Sequence, residues 1–166
     1  MDARRVGTIL ALFLSGAVLS SCGEINKNTN GRPSAAASNG SNENANTTRT
    51  NLEELNLVVN VPYEAEDIVW KEDTAHKKLI AVLLFSTENA NKIVTEASGR
   101  QAPQNVTLSS ETWFPAELIA QSQMTGDDTL HGTAYAASAF MQEPYTSGRI
   151  VRVGGTDYFV LELSAK

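Results

Sequence analysis

The apolar run at residues 79–85, which reads LIAVLLF, constrains the fold more than any other segment of this chain. Seven consecutive apolar residues match the length of a strand, and their lack of alternation indicates a strand that is buried on both faces. A helical pattern follows at once, because Ser86 or Thr87 can cap a helix and residues 90–97 carry an apolar stripe at i, i+3, i+4 and i+7. The sequence therefore predicts a central strand that leads directly into an amphipathic helix, which stops at Gly99.

The remaining elements are predicted from weaker local patterns. The strongest hairpin joins 149–153 to 156–163, because Gly154-Gly155 is a two-residue turn that can adopt positive φ. A second helix is predicted over 114–124, capped by Thr112. Shorter strands are predicted at 55–61, at 67–71 (where a helix over 64–72 is the alternative), around 106–108 and at 129–140. The sum is an α+β domain with a largely antiparallel sheet of five or six strands, two helices packed on one side and a closing C-terminal β-hairpin.

Composition divides the chain into a tether and one domain. Residues 23–50 hold seven asparagines and no aromatic residue, so they cannot bury enough apolar surface to offset the entropy lost on folding. Together with Cys22 they are interpreted as a disordered tether, residues 22–50. Residues 51–166 form a single α+β domain with eight Lys/Arg and sixteen Asp/Glu, a formal charge of −8. This acidic balance argues against nucleic-acid binding, and we expect the domain to be monomeric.

The first 22 residues have the organisation of an export signal. Arg4 and Arg5 precede fourteen uncharged residues, 6–19, which are too few for a permanent membrane-spanning helix. The segment ends in Leu19-Ser20-Ser21-Cys22, and Cys22 is the only cysteine of the chain. This ending resembles the lipobox of bacterial lipoproteins, in which a branched apolar residue and two small residues precede a cysteine.

The resemblance implies that residues 1–21 are a lipoprotein signal peptide and that Cys22 becomes the lipidated first residue of the mature chain. Several acyl chains together hold a protein firmly at a bilayer, so the protein would be anchored in the cell envelope, on its periplasmic face or its surface, without a transmembrane helix. In enteric Gram-negative bacteria an aspartate after the cysteine retains lipoproteins at the inner membrane, so Gly23 favours the outer membrane. The alternative is an ordinary signal peptide with a chance cysteine. The resemblance covers residues 1–22 only.

Residues that catalyse reactions or bind metals are sparse in this sequence. Glu72 and His76 could share one helical face, but a metal site needs three or four ligands. His131 follows Asp127-Asp128, a pairing that could serve a hydrolase, yet no GxSxG nucleophile elbow accompanies it. No phosphate-binding glycine loop occurs either. We therefore expect no catalytic residues, no metal and no cofactor.

The densest aromatic segment is Trp113-Phe114-Pro115, at the start of the second predicted helix. Neighbouring residues at a helix start point in different directions, so Trp113 and Phe114 cannot easily both enter the core. With Tyr145 they form the candidate binding patch, because Trp and Tyr are favoured interface residues. The alternative is that Trp113 closes the edge of the core and Tyr145 covers a loop.

Together these observations favour a membrane-anchored envelope lipoprotein whose domain is a non-enzymatic module, with an envelope protein as its partner or with a structural role. A small-ligand binder with an aromatic-lined cleft beside Trp113 or Trp70 is the first alternative. An envelope hydrolase that uses His131 with Asp127 or Asp128 is the second.

Overall fold

In the computed structural model the described residues are 47–166, and the predicted signal peptide, Cys22 and most of the tether lie outside them. The described part contains three helices and six strands. None of these helices is long and apolar enough to cross a membrane. Along the chain the elements are α1 (Leu52–Leu55), β1 (Ala65–Asp73), β2 (Lys78–Phe85), α2 (Thr87–Ser98), β3 (Gln104–Ser109), α3 (Ala116–Thr125), β4 (Thr129–Ala136), β5 (Tyr145–Val153) and β6 (Tyr158–Ala165).

The six strands form one antiparallel sheet in the order β1-β2-β6-β5-β4-β3. β2 lies inside the sheet between β1 and β6 and is buried on both faces, as its uninterrupted apolar run predicts. α2 follows directly, and the side chain of Ser86 caps it by accepting a hydrogen bond from the Asn89 N–H at 3.3 Å. The predicted α+β class, with an antiparallel sheet and a C-terminal hairpin, is confirmed.

The sheet has two faces, because successive side chains of a strand point to opposite sides. The α2 face carries Leu83 and Phe159 in one apolar cluster and is covered by α1 and α2. The α3 face carries Val82 and Val160 in a second cluster and is covered by α3. The two longer helices therefore lie on opposite faces, whereas the sequence analysis placed both on one side. The physical reason is that β2, β5 and β6 have apolar residues on both faces, so each face needs its own cover.

The first predicted strand, which was to begin at Leu55, is wrong. The side chain of Asn51 accepts a hydrogen bond from the Glu53 N–H at 2.8 Å and caps the short helix α1 instead. Leu55 and Val59 are buried, while Leu57 between them is 76% exposed. Apolar residues at every second position also include an i, i+4 pair, so the same letters fit a helical turn.

The hairpin of β5 and β6 is present, but its loop is longer than the predicted two-residue turn. Arg152 pairs with Phe159 across the two strands, which leaves residues 154–157 as the connection. Gly155 has φ 75°, a left-handed conformation that favours glycine. The guanidinium of Arg152 closes the loop through an ion pair with Asp157 at 2.5 Å.

The chain enters the domain beside β1. Arg49 exchanges two backbone hydrogen bonds with Trp70, at 2.8 and 2.9 Å, so the residues before α1 add a short pairing to the outer edge of β1. The guanidinium of Arg49 also lies over the Trp70 ring, 4.7 Å from its centroid. Arg49, assigned to the tether from composition, is thus held against the sheet.

Candidate functional site

The segment between β3 and α3 places two aromatic side chains on the α3 face. Phe114 is buried in the apolar cluster under α3, while Trp113 is half-buried. Their ring centroids are 4.8 Å apart at 84°, an edge-to-face contact. Neighbouring residues do point in different directions here, and α3 begins at Ala116 with Pro115 before it, two residues later than predicted. One ring thus enters the core and the other borders solvent.

Trp113 borders a groove that runs over the uncovered part of the α3 face, and we call it the Trp113 groove. It consists of two adjoining hollows of about 260 and 270 Å³, which share Ile80 and Glu111. The first hollow is lined by Lys71, Asp73, Lys78, Ile80, Glu111 and Trp113. The second hollow is bounded by β3 as well, and its lining residues are Ile80, Thr107, Leu108, Ser109, Glu111, Phe114, Arg149, Val160 and Glu162.

The groove has an apolar floor and a charged rim. Ile80 and Val160 project from β2 and β6 onto the floor, because both lie on the α3 face. On the rim, the ammonium of Lys71 lies 5.3 Å from the Trp113 ring centroid, a cation–π contact that orients the indole. Arg149 donates a hydrogen bond from Nε to a carboxylate oxygen of Glu162 at 2.5 Å, within an ion pair.

Two rim charges have no partner within residues 47–166. The side chains of Lys78 and Glu111 make neither a hydrogen bond nor an ion pair there, in contrast to the Asp73 carboxylate. Asp73 accepts hydrogen bonds from the His76 backbone and ring, and these hold the pKa of its carboxyl below the usual range. The groove therefore presents the unpaired charges of Lys78 and Glu111 to a guest above an apolar floor, beside the Lys71 ammonium at the Trp113 ring.

The three aromatics of the predicted patch are not brought together. Tyr145 is 2% exposed and belongs to the cluster on the α2 face, opposite to Trp113 and Phe114. Its hydroxyl donates a hydrogen bond to Glu72 at 2.6 Å, and burial raises its pKa above the usual range. Of the three, only Trp113 borders the groove with an accessible ring, so Phe114 and Tyr145 act as core residues.

His131 lies on the α2 face, in a separate hollow of about 480 Å³. Its Nδ1 is 3.3 Å from the hydroxyl of Thr107, and within residues 47–166 no carboxylate or serine oxygen lies at hydrogen-bond distance from the ring. Asp127 instead accepts hydrogen bonds from the hydroxyls of Thr129 and Thr125, which hold the pKa of its carboxyl below the usual range. The pairing that a hydrolase would need is not formed.

A polar cluster joins the β5–β6 hairpin to α2, and it was not predicted from the sequence. It borders a hollow of about 510 Å³ on the α2 face. Arg152 donates to Asp157 at 2.5 Å, to the Thr156 carbonyl at 3.0 Å and to the Asn91 side chain at 3.4 Å. Thr87 completes the cluster by donating to Asp157 at 2.6 Å. In the sequence, this cluster was indicated only by the opposite charges of Arg152 and Asp157 on either side of Gly154-Gly155. The N–H groups of Arg152 bond to the hairpin and to α2, so they hold the hairpin in place and do not bind a ligand.

Metal chemistry has little basis in the described part of the chain. Residues 47–166 contain no group of three or more His, Cys, Asp or Glu side chains placed to hold a metal ion. Glu72, which the sequence paired with His76, accepts its hydrogen bond from Tyr145, and His76 bonds to Asp73.

Comparisons of the whole chain with protein-family models, with curated proteins and with solved structures gave no match. The function is therefore argued from the chemistry of the Trp113 groove.

Proposed function

We propose that this chain is a lipid-anchored lipoprotein of the cell envelope whose acidic α+β domain is a non-enzymatic binding module. Its partner is an envelope protein, and the Trp113 groove is the binding site. The observation that carries the proposal is the groove itself: an accessible indole held by Lys71 beside an apolar floor, with Lys78 and Glu111 unpaired on the rim. Trp is the residue type that most often dominates the binding energy of protein interfaces.

The shape of the groove favours a peptide segment over an enclosed small molecule. Ligand pockets commonly hold ~300–1,000 Å³ in one concavity, whereas this groove divides its volume between two adjoining hollows of about 260 and 270 Å³. A hollow of that size fits one large side chain, and two in a row fit neighbouring side chains of an extended peptide. The unpaired Lys78 and Glu111 would then pair with charges that flank the apolar side chains of the guest.

The anchor is supported by the residues that resemble a lipobox and by the composition that follows them. Cys22 is the only cysteine, and it stands directly after Leu19-Ser20-Ser21. The low-complexity residues 23–50 would give the domain a reach of roughly 30 Å from the lipid surface, from about 5–6 Å times the square root of their number. The outer membrane is the proposed location if the organism is Gram-negative.

The anchor is tested by feeding cells labelled palmitate and following the label on the full chain. The wild-type chain is expected to carry the label and to sediment with membranes. Cys22→Ala is expected to lose both, because it removes the thiol that would form the thioether. Ser21→Ala is the matched control, since it keeps a small residue beside the cysteine and should leave labelling intact. Equal labelling of Cys22→Ala and wild type would refute the anchor.

The groove is tested by photo-crosslinking in cells with a photoreactive phenylalanine in place of Asp73, which lines the groove but is not one of its unpaired charges. We expect defined adducts with an envelope protein that decrease at least tenfold when Trp113→Ala is added. The same photoreactive residue in place of Glu53, which is exposed on α1, is the control and should give no such adduct. Adducts that persist unchanged in Trp113→Ala would place the partner elsewhere.

A small-ligand binder remains the second candidate, favoured by the accessible ring of Trp113 in a concave site. Native mass spectrometry of the purified chain distinguishes a small-ligand binder from a peptide-binding module. A bound compound that is lost in Trp113→Ala would support the small ligand, whereas protein adducts alone support the peptide.

A further inference from the structure

We propose that the outer edge of β3 is a pairing surface for a second copy of this chain, through antiparallel β3–β3 contact. β3 (Gln104–Ser109) is the last strand in the sheet order, and no described segment pairs with its outer side. An edge strand presents unpaired N–H and C=O groups to any other strand that can reach it. Thr107, Leu108 and Ser109 of β3 also line the second hollow of the Trp113 groove, so a second copy paired here would border that groove. The proposal does not depend on the function proposed above, because it rests on the backbone groups of the strand.

The opposite edge of the sheet shows how this fold protects a strand. β1 has a register irregularity between Ala65 and Asp67, and its outer side is bonded to Arg49. It also carries four acidic residues within Ala65–Asp73. Charges, bulges and covering segments are the usual means by which proteins block edge pairing. β3 has none of these, because it reads QNVTLS and pairs regularly with β4 throughout its length.

The direction of the backbone groups of β3 follows from its pairing with β4. The N–H of Ser110 donates to the carbonyl of Asp128 at 2.9 Å, so residue 110 faces β4. In an antiparallel pair the inward and outward directions alternate along the strand. Asn105, Thr107 and Ser109 therefore direct their N–H and C=O groups away from β4, to the outside of the sheet.

The neighbouring strand agrees with this assignment. His131 lies opposite Thr107 in the β3–β4 register. The carbonyl of His131 accepts a hydrogen bond from the Gly154 N–H at 2.9 Å, so it faces β5 and not β3. The pair of His131 and Thr107 is thus one in which the two residues exchange no backbone hydrogen bonds, and the groups of Thr107 remain available at the edge.

The three outward-facing residues are symmetric about Thr107, and this makes the strand complementary to itself. In an antiparallel register that places Thr107 opposite Thr107 of a second copy, Asn105 meets Ser109, and each such pair can exchange two backbone hydrogen bonds. The same register places Val106 opposite Leu108 on the α3 face, so apolar residues meet apolar residues and polar ones meet polar ones. A two-fold axis is the symmetry of most homodimers.

The charge distribution also fits a second copy. Residues 51–166 carry a formal charge of −8, which would oppose most contacts between two copies, but Gln104–Ser109 has no charged residue. Arg100 precedes the strand and Glu111 follows it. Antiparallel pairing places the Arg100 end of each copy beside the Glu111 end of the other, so the charges nearest the contact are complementary. This proposal differs from the monomeric domain that the sequence analysis expects, and the crosslinking experiment decides between the two.

The pairing is tested by disulfide crosslinking of the purified full chain in detergent. In the proposed register the two Thr107 Cα atoms lie ~5.5 Å apart, within the usual range for a disulfide of ~4.4–6.8 Å. Thr107→Cys, treated with copper phenanthroline, is expected to give at least tenfold more dimer on a non-reducing gel than Asp67→Cys, which places a thiol on exposed β1. The unaltered chain with Cys22 alone is the second control. Equal yields from Thr107→Cys and Asp67→Cys would overturn the proposal.

The register has its own test. Asn105→Cys alone should give little dimer, whereas a mixture of Asn105→Cys and Ser109→Cys chains should crosslink strongly, since these positions face each other. Adding Thr107→Pro should lower that yield, because proline removes an outward N–H but none of the bonds between β3 and β4. An unchanged circular dichroism spectrum of the proline variant shows that it is folded. Equal crosslinking of Asn105→Cys alone and of the mixture would refute the register.

Discussion

The two faces of the sheet differ in how completely they are covered. The α2 face lies under two helices and a long segment before β5, and it buries Trp70, Phe85, Phe140 and Phe159 almost completely. The α3 face has a smaller cluster of mostly aliphatic residues, and Trp113 at its margin is only partly covered. Beyond Trp113, toward β1, the α3 face becomes a groove rimmed by charges. Stability is therefore concentrated on one face, and the proposed binding site lies on the other.

This difference shows how one small sheet can serve two purposes. Burial of apolar surface contributes ~25 cal/mol per Å², so the face with the large aromatics supplies most of the stabilisation. A face that was covered to the same extent would have no accessible apolar surface left for a partner. The incomplete cover over β1 and β2 is consequently the feature that makes binding possible, and variants of the two faces should separate the two properties.

The largest effect is expected from Phe159→Ala, on the α2 face. Phe159 is fully buried, its ring meets that of Phe85 at 5.6 Å, and the guanidinium of Arg152 lies 5.9 Å from it. Removing a buried Phe costs ~3–5 kcal/mol in the free energy of unfolding. Urea denaturation measures the loss of unfolding free energy. Tyr158→Ala changes the preceding residue, which is half-buried on the α3 face, and it should destabilise the domain clearly less. Equal losses would mean that the two faces contribute equally to stability.

Leu118→Ala should give the next largest effect, on the α3 face. Leu118 is the fully buried residue by which α3 packs on the sheet. We expect a loss of about 2–3 kcal/mol, the lower part of the range for such changes, because the small cluster can partly collapse around the cavity. Thermal unfolding with circular dichroism detection reports the loss. A cost above that of Phe159→Ala would reverse the ranking of the faces.

Asp157→Asn tests the polar cluster on the α2 face through its pH dependence. The hydroxyl of Thr87 and the guanidinium of Arg152 lower the pKa of this carboxyl below its ordinary value of 3.8. A lowered pKa in the folded state adds stability that is complete above the unfolded value and is lost as the pH falls through the folded value. The variant should be about 1 kcal/mol less stable than wild type at pH 7.

The difference between Asp157→Asn and wild type should shrink when the pH falls below about 4. Urea denaturation at several pH values measures it. The matched control is Asp128→Asn, because Asp128 is exposed and has φ 54°, a conformation that asparagine tolerates. A difference that stays constant down to the lowest pH at which the chain folds would contradict the role of the ionised carboxylate.

The smallest effect on stability is expected from Trp113→Ala. It removes the edge-to-face contact with Phe114 and the cation–π contact with Lys71, but the ring is only half-buried, so the loss should be about 1 kcal/mol or less. Denaturation curves that nearly coincide with wild type, combined with loss of crosslinked adducts, would sharpen the contrast between the faces. A loss of several kcal/mol would assign Trp113 to the core.

The sequence predicted those parts of the fold that have strong local signals. Residues 79–85 and the cap at Ser86 were sufficient for β2 and α2, because burial on both faces and a capped stripe leave few alternatives. The cap at Asn51 was overlooked because Leu55 and Val59 also fit an alternating strand. The side on which each helix packs depends on contacts between distant strands, so local patterns could not place α3 on the face opposite to α2.

The candidate site was predictable only in part. Trp113 stood out because an aromatic pair beside a proline is costly to expose, and it does border a groove. Tyr145 was joined to it by residue type alone, and its partner Glu72 is 73 positions away in sequence, a separation that no local pattern can bridge. The rim charges Lys78 and Glu111 come from different strands and loops, so their juxtaposition could not be deduced from spacing.

The pairing of Arg49 with Trp70 has a mechanical consequence. Within residues 47–166, this pairing is the first contact with the sheet that tension on the preceding chain would reach. Two backbone hydrogen bonds to Trp70, the guanidinium stacked on its ring and an ion pair with Glu72 at 3.9 Å bear this tension at the edge of the sheet, ahead of the pairing of β1 with β2. The contacts that carry tension at the attachment are thus local to the outer side of β1, and they are separate from the hydrogen bonds that join the six strands.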